Sequence, residues 1–139
     1  MNILVSACLL GMKCRYDGTG IEMEELKTAF PEDNLIPVCP EVLGGLPIPR
    51  TPAERIGDNI ITKAGTDVTK EYMQGAKEVL KLAKDWNCSL AILKERSPSC
   101  GCGKIYDGTF TGKLIDGNGV TAELLLKNDI KVKGETSFQ

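Results

Sequence analysis

The sequence predicts one α/β domain spanning residues 1–139, a mainly parallel sheet with helices on both faces. Three observations lead there. Short β-branched apolar runs alternate with longer amphipathic segments, the order of βαβ units. The length of 139 residues is that of one ordinary domain. A hydrophobic share of 42% against 26% charged residues is enough for a core and carries no signature of disorder.

Taken in order, Asn2–Ser6 is β-branched at Ile3 and Val5 and reads as a buried strand leading into Cys8. Glu22–Phe30 reads as a helix stopped by Pro31, and Asn34–Val38 as a second strand, which Pro37 makes short or places at an edge. Gly44–Pro52 is too rich in Gly and Pro for regular structure; a long ordered loop in a small domain usually has a function. Arg55–Thr62 predicts a hairpin about Gly57-Asp58-Asn59. Asp67 is placed to cap the clearest helix, in which Val68, Tyr72, Ala76, Val79, Leu80, Ala83 and Trp86 form an apolar stripe facing a sheet.

Ser89–Leu93 is the next strand, followed by the loop Lys94–Gly103. Ile105–Leu114 predicts a hairpin about Asp107-Gly108. Val120–Lys127 is the last helix and Ile130–Val132 the last strand. The alternation is Rossmann-like, and in such sheets sites form beyond the carboxyl ends of the strands.

Charge narrows the function. With 17 basic and 19 acidic residues the chain has no broad attraction for a phosphate backbone, which argues against general nucleic-acid binding. A local pocket could still take a single thiolated nucleotide within an RNA. No apolar run is long enough to predict a membrane span, and the first residues lack the basic flank of a signal peptide. The cytoplasm is the expected location.

Six cysteines and no histidine make the remaining chemistry specific. In a reducing compartment such cysteines are ligands, nucleophiles or buried thiols rather than a disulfide framework. Without histidine there is no Ser-His or Cys-His pair, and chemistry falls to Cys, carboxylates, Lys, Ser, Tyr or a metal centre. Cys8, Cys39 and the Ser97–Cys102 loop each follow a predicted strand, so the three segments are expected to converge at one sheet edge. Cys14 and Cys102 lie close to them in sequence, and Cys88 reads as core packing. Taken singly, each cysteine also reads as a small buried hydrophobe.

Structural zinc prefers paired Cys knuckles, which are missing. A phosphatase-type loop fits poorly, because Cys8 and Arg15 enclose one residue too many and lack its glycines. An iron–sulfur cluster suits thiolates gathered from distant segments, and three ligands on a cubane leave one iron open as a Lewis acid.

Several motifs occur in a recognisable order: Ser6-Ala7-Cys8-Leu9-Leu10-Gly11 with Arg15-Tyr16-Asp17-Gly18, then Pro37–Pro47 with Pro49-Arg50. Leu93-Lys94 with Ser97–Gly101, Ile105–Phe110 and Gly119–Ala122 follow. Across essentially its whole length the chain resembles the bacterial domain family that includes the thiouracil desulfidases. That resemblance implies a 4Fe–4S cluster held by Cys8, Cys39 and Cys100, and non-redox removal of sulfur from a thiolated pyrimidine, base or nucleotide. Glu41 and Ser97 match the carboxylate and hydroxyl that assist the reaction.

In this expectation Glu41, two residues from a ligand, is the base that activates water, with its pKa raised by burial and cluster charge. Ser97 bonds the substrate or steers the water. Their plainer readings are a surface ion pair and a turn cap before Pro98. Arg15 and Asp17 could orient a pyrimidine or simply pair with each other. Arg50 could meet a phosphate, whereas Arg55 reads as solvated charge. Sulfide could leave free or pass to an acceptor protein. The rival expectation is a non-enzymatic cluster or sulfide carrier, or a redox-sensing module, in which Glu41 and Ser97 are incidental.

Overall fold

A computed structural model describes residues 1–139. The chain forms β1 (Asn2–Ser6), α1 (Glu24–Ala29), β2 (Asn34–Val38), the short α2 (Pro40–Leu43), and a hairpin of β3 (Ala53–Ile56) and β4 (Asn59–Thr62). It continues through α3 (Thr69–Asp85), β5 (Leu90–Leu93), β6 (Lys104–Tyr106), β7 (Leu114–Asp116), α4 (Val120–Lys127) and β8 (Lys131–Gly134).

The central sheet has the order β2-β1-β5-β8, and all its pairings are parallel. Parallel neighbours need crossover connections, and α1, α3 and α4 supply them. Ile3, Leu4 and Val5 of β1 are fully buried because both faces of the sheet are covered. Leu4 packs with Val79 and Ala83 of α3 and with Ala122 and Leu125 of α4. Ile3, Val5 and Ile92 point to the other face, where they meet Leu26 of α1 and Met23. Pro37 is tolerated because β2 is an edge strand.

On α3, Tyr72, Gly75, Ala76, Val79 and Ala83 are buried at three- and four-residue spacing. Glycine decides how closely α2 lies against this helix. A Cβ at Gly75 would overlap the carbonyl oxygen of Pro40, and one at Gly44 would overlap that of Glu71. The two glycines let α2 seat directly on α3.

Four local expectations need correction. The helix begins at Thr69, with Val68 as its cap residue. Asp67 instead accepts from Thr69 N at 2.9 Å, an Asx turn one position early. Trp86 follows the helix end and is 52% exposed, so it leaves the stripe. The second hairpin pairs 104–106 with 114–116 rather than turning tightly at Asp107-Gly108. There Asp107 accepts from Thr109 N, and Glu54 Oε1 accepts from Gly108 N and Phe110 N, which draws the loop toward β3. Arg55 is not solvated: it donates to Asn118 O at 2.7 Å and to Glu123 Oε2 at 3.0 Å.

Candidate active site: a thiol-lined cleft at the carboxyl edge

The carboxyl ends of β1, β2 and β5 lie side by side, so the residues that follow them share one rim. Cys8 follows β1 in a single 3₁₀ turn, Ala7–Leu9. Cys39 caps α2, whose first position is Pro40, and this puts Glu41 in the first turn of a four-residue helix. Cys100 lies in the loop after β5. The Ser97 hydroxyl accepts from Cys100 N at 2.7 Å and from Ser99 N at 3.2 Å, folding that loop into a turn. Ser6 Oγ accepts from Lys94 N at 2.9 Å and ties the ends of β1 and β5 together.

A cavity of about 380 Å³ opens at this rim. Cys8, Cys14, Cys39 and Cys100 all line it, together with Glu41, Ser97, Arg15 and Arg50. Asp17 is not brought there: it is exposed, and its Oδ1 accepts from the amide and hydroxyl of Thr19. Cys102 is turned away, with its thiol 3.6 Å from Val132 O, and Cys88 is packed in the core beneath α3 and α4.

Thiols dominate the donor set, the chemistry that holds iron–sulfur clusters and soft ions. No three Cys, Asp or Glu side chains gather tightly enough to hold a single ion. A lone zinc would need its thiolates about 2.3 Å from the metal. Thiols spread around a cavity instead suit a larger multi-iron group. Glu41 adds a second sign: its Oε1 is buried and has no hydrogen-bond partner. Glu41 also lines the cavity, and a buried acceptor without a partner is a rare feature that calls for a functional reason.

Burial sets the electrostatics. It pushes the Cys8 thiol up to about 12, with the charges of Cys14 and Glu41 adding to the effect. Cys39 also rises to about 12, through burial and then Glu41, and Cys100 is raised well above its usual value for the same reasons. As free thiols these groups keep their protons at neutral pH, and a metal group must displace them. Burial raises the Glu41 carboxyl too, against the opposing pull of Arg50.

Arg50 is only 7% exposed, and its Nη2 lies 2.9 Å from Glu41 Oε2. No spacing rule links residues 41 and 50, so this pair was invisible in the sequence. Tyr72 reads from sequence as part of the helix stripe, yet it lines the cleft, and burial raises its hydroxyl pKa. Lys94 lines it as well, paired with the buried Glu135 at 2.9 Å.

The chain is thus a small α/β domain with a parallel sheet and a thiol-lined cleft at its strand ends. Comparison makes the assignment particular. The chain belongs to the 2-thiouracil desulfurase family, whose model matches residues 3–137. It is similar to the uncharacterized protein YbbK of Bacillus subtilis (strain 168), with 48% identity over a 146-residue alignment covering 98% of this chain and 97% of that protein. It also superposes on the solved structure of TudS, a [4Fe-4S]-dependent thiouracil desulfidase. The TM-score is 0.91 and the identity 44%, covering 98% of this chain and 91% of that one.

Proposed function

We propose that this member of the 2-thiouracil desulfurase family is an enzyme that replaces the thione sulfur of a thiolated pyrimidine by oxygen. Its cofactor in this reading is a 4Fe–4S cluster held by Cys8, Cys39 and Cys100 with one iron open. The observation that carries the reading is the gathering of these three cysteines around one cavity with the unpartnered Oε1 of Glu41.

When bound, the cluster supplies a Lewis acid that polarises the thione sulfur and makes the ring carbon electrophilic. Glu41 then takes a proton from water at Oε1, and the water oxygen attacks that carbon. Burial favours this role, since a carboxyl with a raised pKa is a stronger base once ionised. The Ser97 oxygen already accepts two backbone N–H groups, so its own proton points elsewhere and can be donated to the ring or to the water. The C–S bond breaks and sulfur leaves as hydrogen sulfide, to solvent or to an acceptor protein. Water enters and hydrogen sulfide leaves, with no change in oxidation state.

The substrate is a free base or its nucleotide. Arg50 and Lys94 of the cavity wall are paired with carboxylates, while Arg15 and Lys63 have no such partner and are the groups open to a phosphate. All six cysteines are free thiols. No helix is long and apolar enough to cross a membrane.

The test is anaerobic reconstitution with iron and sulfide, elemental analysis, and sulfide release from 2-thiouracil. Turnover with about four irons per chain supports the reading. A loaded cluster with no turnover on any thiolated pyrimidine favours a carrier, and zinc in place of iron refutes the cofactor.

A further inference from the structure

The Gly44–Pro52 segment has no regular structure, yet Arg50 within it is nearly inaccessible. Both protons of its Nη2 are used: one reaches Glu41 Oε2 at 2.9 Å and the other Cys14 O at 3.1 Å. Nη1 donates to Pro47 O at 3.3 Å. The backbone N–H of Arg50 donates to Tyr16 O at 2.8 Å, so main chain and side chain both bind the loop that carries Cys14. The Cys39 thiol lies 3.8 Å from the same Cys14 carbonyl.

We propose that Arg50 is a positioning residue for Glu41: it fixes one carboxylate oxygen, leaves the other without a partner, and locks that carboxylate to the Cys14 loop. This reading rests on Glu41 being the base of the proposed reaction.

The physical need is evident in the fold. Glu41 stands on a helix of four residues, too short to hold itself, and its long side chain has several rotamers. A charge-assisted bond to a buried guanidinium removes that freedom. The guanidinium holds its two Nη2 protons in one plane at a fixed angle, whereas a lysine ammonium rotates freely and is more strongly hydrated, so lysine is a poorer substitute. The asymmetry within the carboxylate follows directly: Oε2 is held and Oε1 is unpartnered. The same geometry argues against Arg50 as a phosphate ligand, because both Nη2 protons are committed and its surface is covered.

The experiment compares cluster-loaded wild type, Arg50→Ala and Arg50→Lys on 2-thiouracil and on thiouridine monophosphate, with iron and sulfide content measured for each. For Arg50→Ala, kcat is expected to fall roughly 10- to 100-fold on both substrates with KM little changed, the cost of a misplaced catalytic group. Arg50→Lys recovers part of the loss, and it remains the deciding variant if Arg50→Ala does not fold. In cluster-free protein, iodoacetamide labelling of Cys14 is expected to quicken in Arg50→Ala, because the loop has lost its clamp.

An unchanged kcat at full iron content, or a KM rise confined to the nucleotide, overturns the proposal; unchanged labelling overturns the clamp on Cys14. Glu41→Gln run in parallel separates the two readings: if it turns over like wild type, the base assignment itself is wrong, whatever Arg50 does.

Discussion

One oxygen of Glu41 is held by Arg50 at 2.9 Å while the other is buried without a partner, so a single carboxylate is anchored at one end and unpaired at the other. A carboxylate used only as a structural counter-ion would be expected to satisfy both oxygens. Half-satisfied and at a cavity wall, it is a group waiting for a proton.

Glu41→Ala is therefore expected to lower sulfide release by about 10²- to 10⁴-fold, the usual contribution of a general base. Iron and acid-labile sulfide per chain should stay at wild-type values, because the thiols are untouched. Parallel assays of turnover and metal content check both halves of this expectation.

The cysteines divide into two groups. Cys8→Ser, Cys39→Ser and Cys100→Ser are each expected to lose most of their iron and the visible absorption of a cluster. Cys102→Ser is expected to retain both, since its thiol faces Val132 O outside the cavity. Metal analysis after anaerobic reconstitution of the four variants tests this division, and a Cys102 variant that loses iron would contradict it.

The thiols also carry a pH signature. Cys8 and Cys39 sit near 12 in the folded chain against an ordinary 9.0, chiefly through burial. Where the folded value is the higher one, the unfolded chain loses its protons first as pH climbs. The stability these groups contribute is thus complete below about pH 9 and is lost between about 9 and 12. In cluster-free protein, Tm should fall between about pH 8 and pH 10 more steeply for wild type than for a Cys8→Ala/Cys39→Ala variant. Cluster loading runs the other way: it displaces protons from the thiols, so iron retention against a chelator should improve over the same range.

Gly75 supplies a test of how α2 is placed. Alanine is the better helix former by about 0.8–1 kcal/mol. Here its methyl would meet the Pro40 carbonyl, a backbone atom that no rotamer change can move. Overpacking of this kind costs about 1–3 kcal/mol, so Gly75→Ala is expected to destabilise the protein despite its propensity. Turnover should drop as well, since Pro40 moves with Glu41. Thermal melts and sulfide release, with the exposed Lys77→Ala as control, separate packing from a general effect on α3.

Much of the architecture was legible in residue order. Ile3 and Val5, and Leu90 to Leu93, mark strands because short β-branched and apolar runs suit a sheet buried on both faces. Gly and Pro marked the loop after Leu43, and Val120–Lys127 matched its helix at both ends. The failures were local, and two of them were decided by distant partners. The loop around Asp107 is shaped by Glu54, more than fifty residues away in sequence. Arg55 became a structural clamp because Asn118 and Glu123 are folded against it.

The sequence by itself determined the strands of the central sheet and its longer helices, and which chemistries were out of reach for a chain rich in thiols and without histidine. It also placed Cys8, Cys39 and Cys100 after strands, because periodicity and punctuation are local properties. Only the tertiary structure decided which thiols face one cavity, that Cys14 is among them, and that Asp17 and Cys102 are not. It alone turned Arg50 from an open cation into the buried partner of Glu41. Such pairings depend on how separate loops pack once the parallel sheet has brought their starting points together, and no rule of spacing along a chain encodes the distance between two loops.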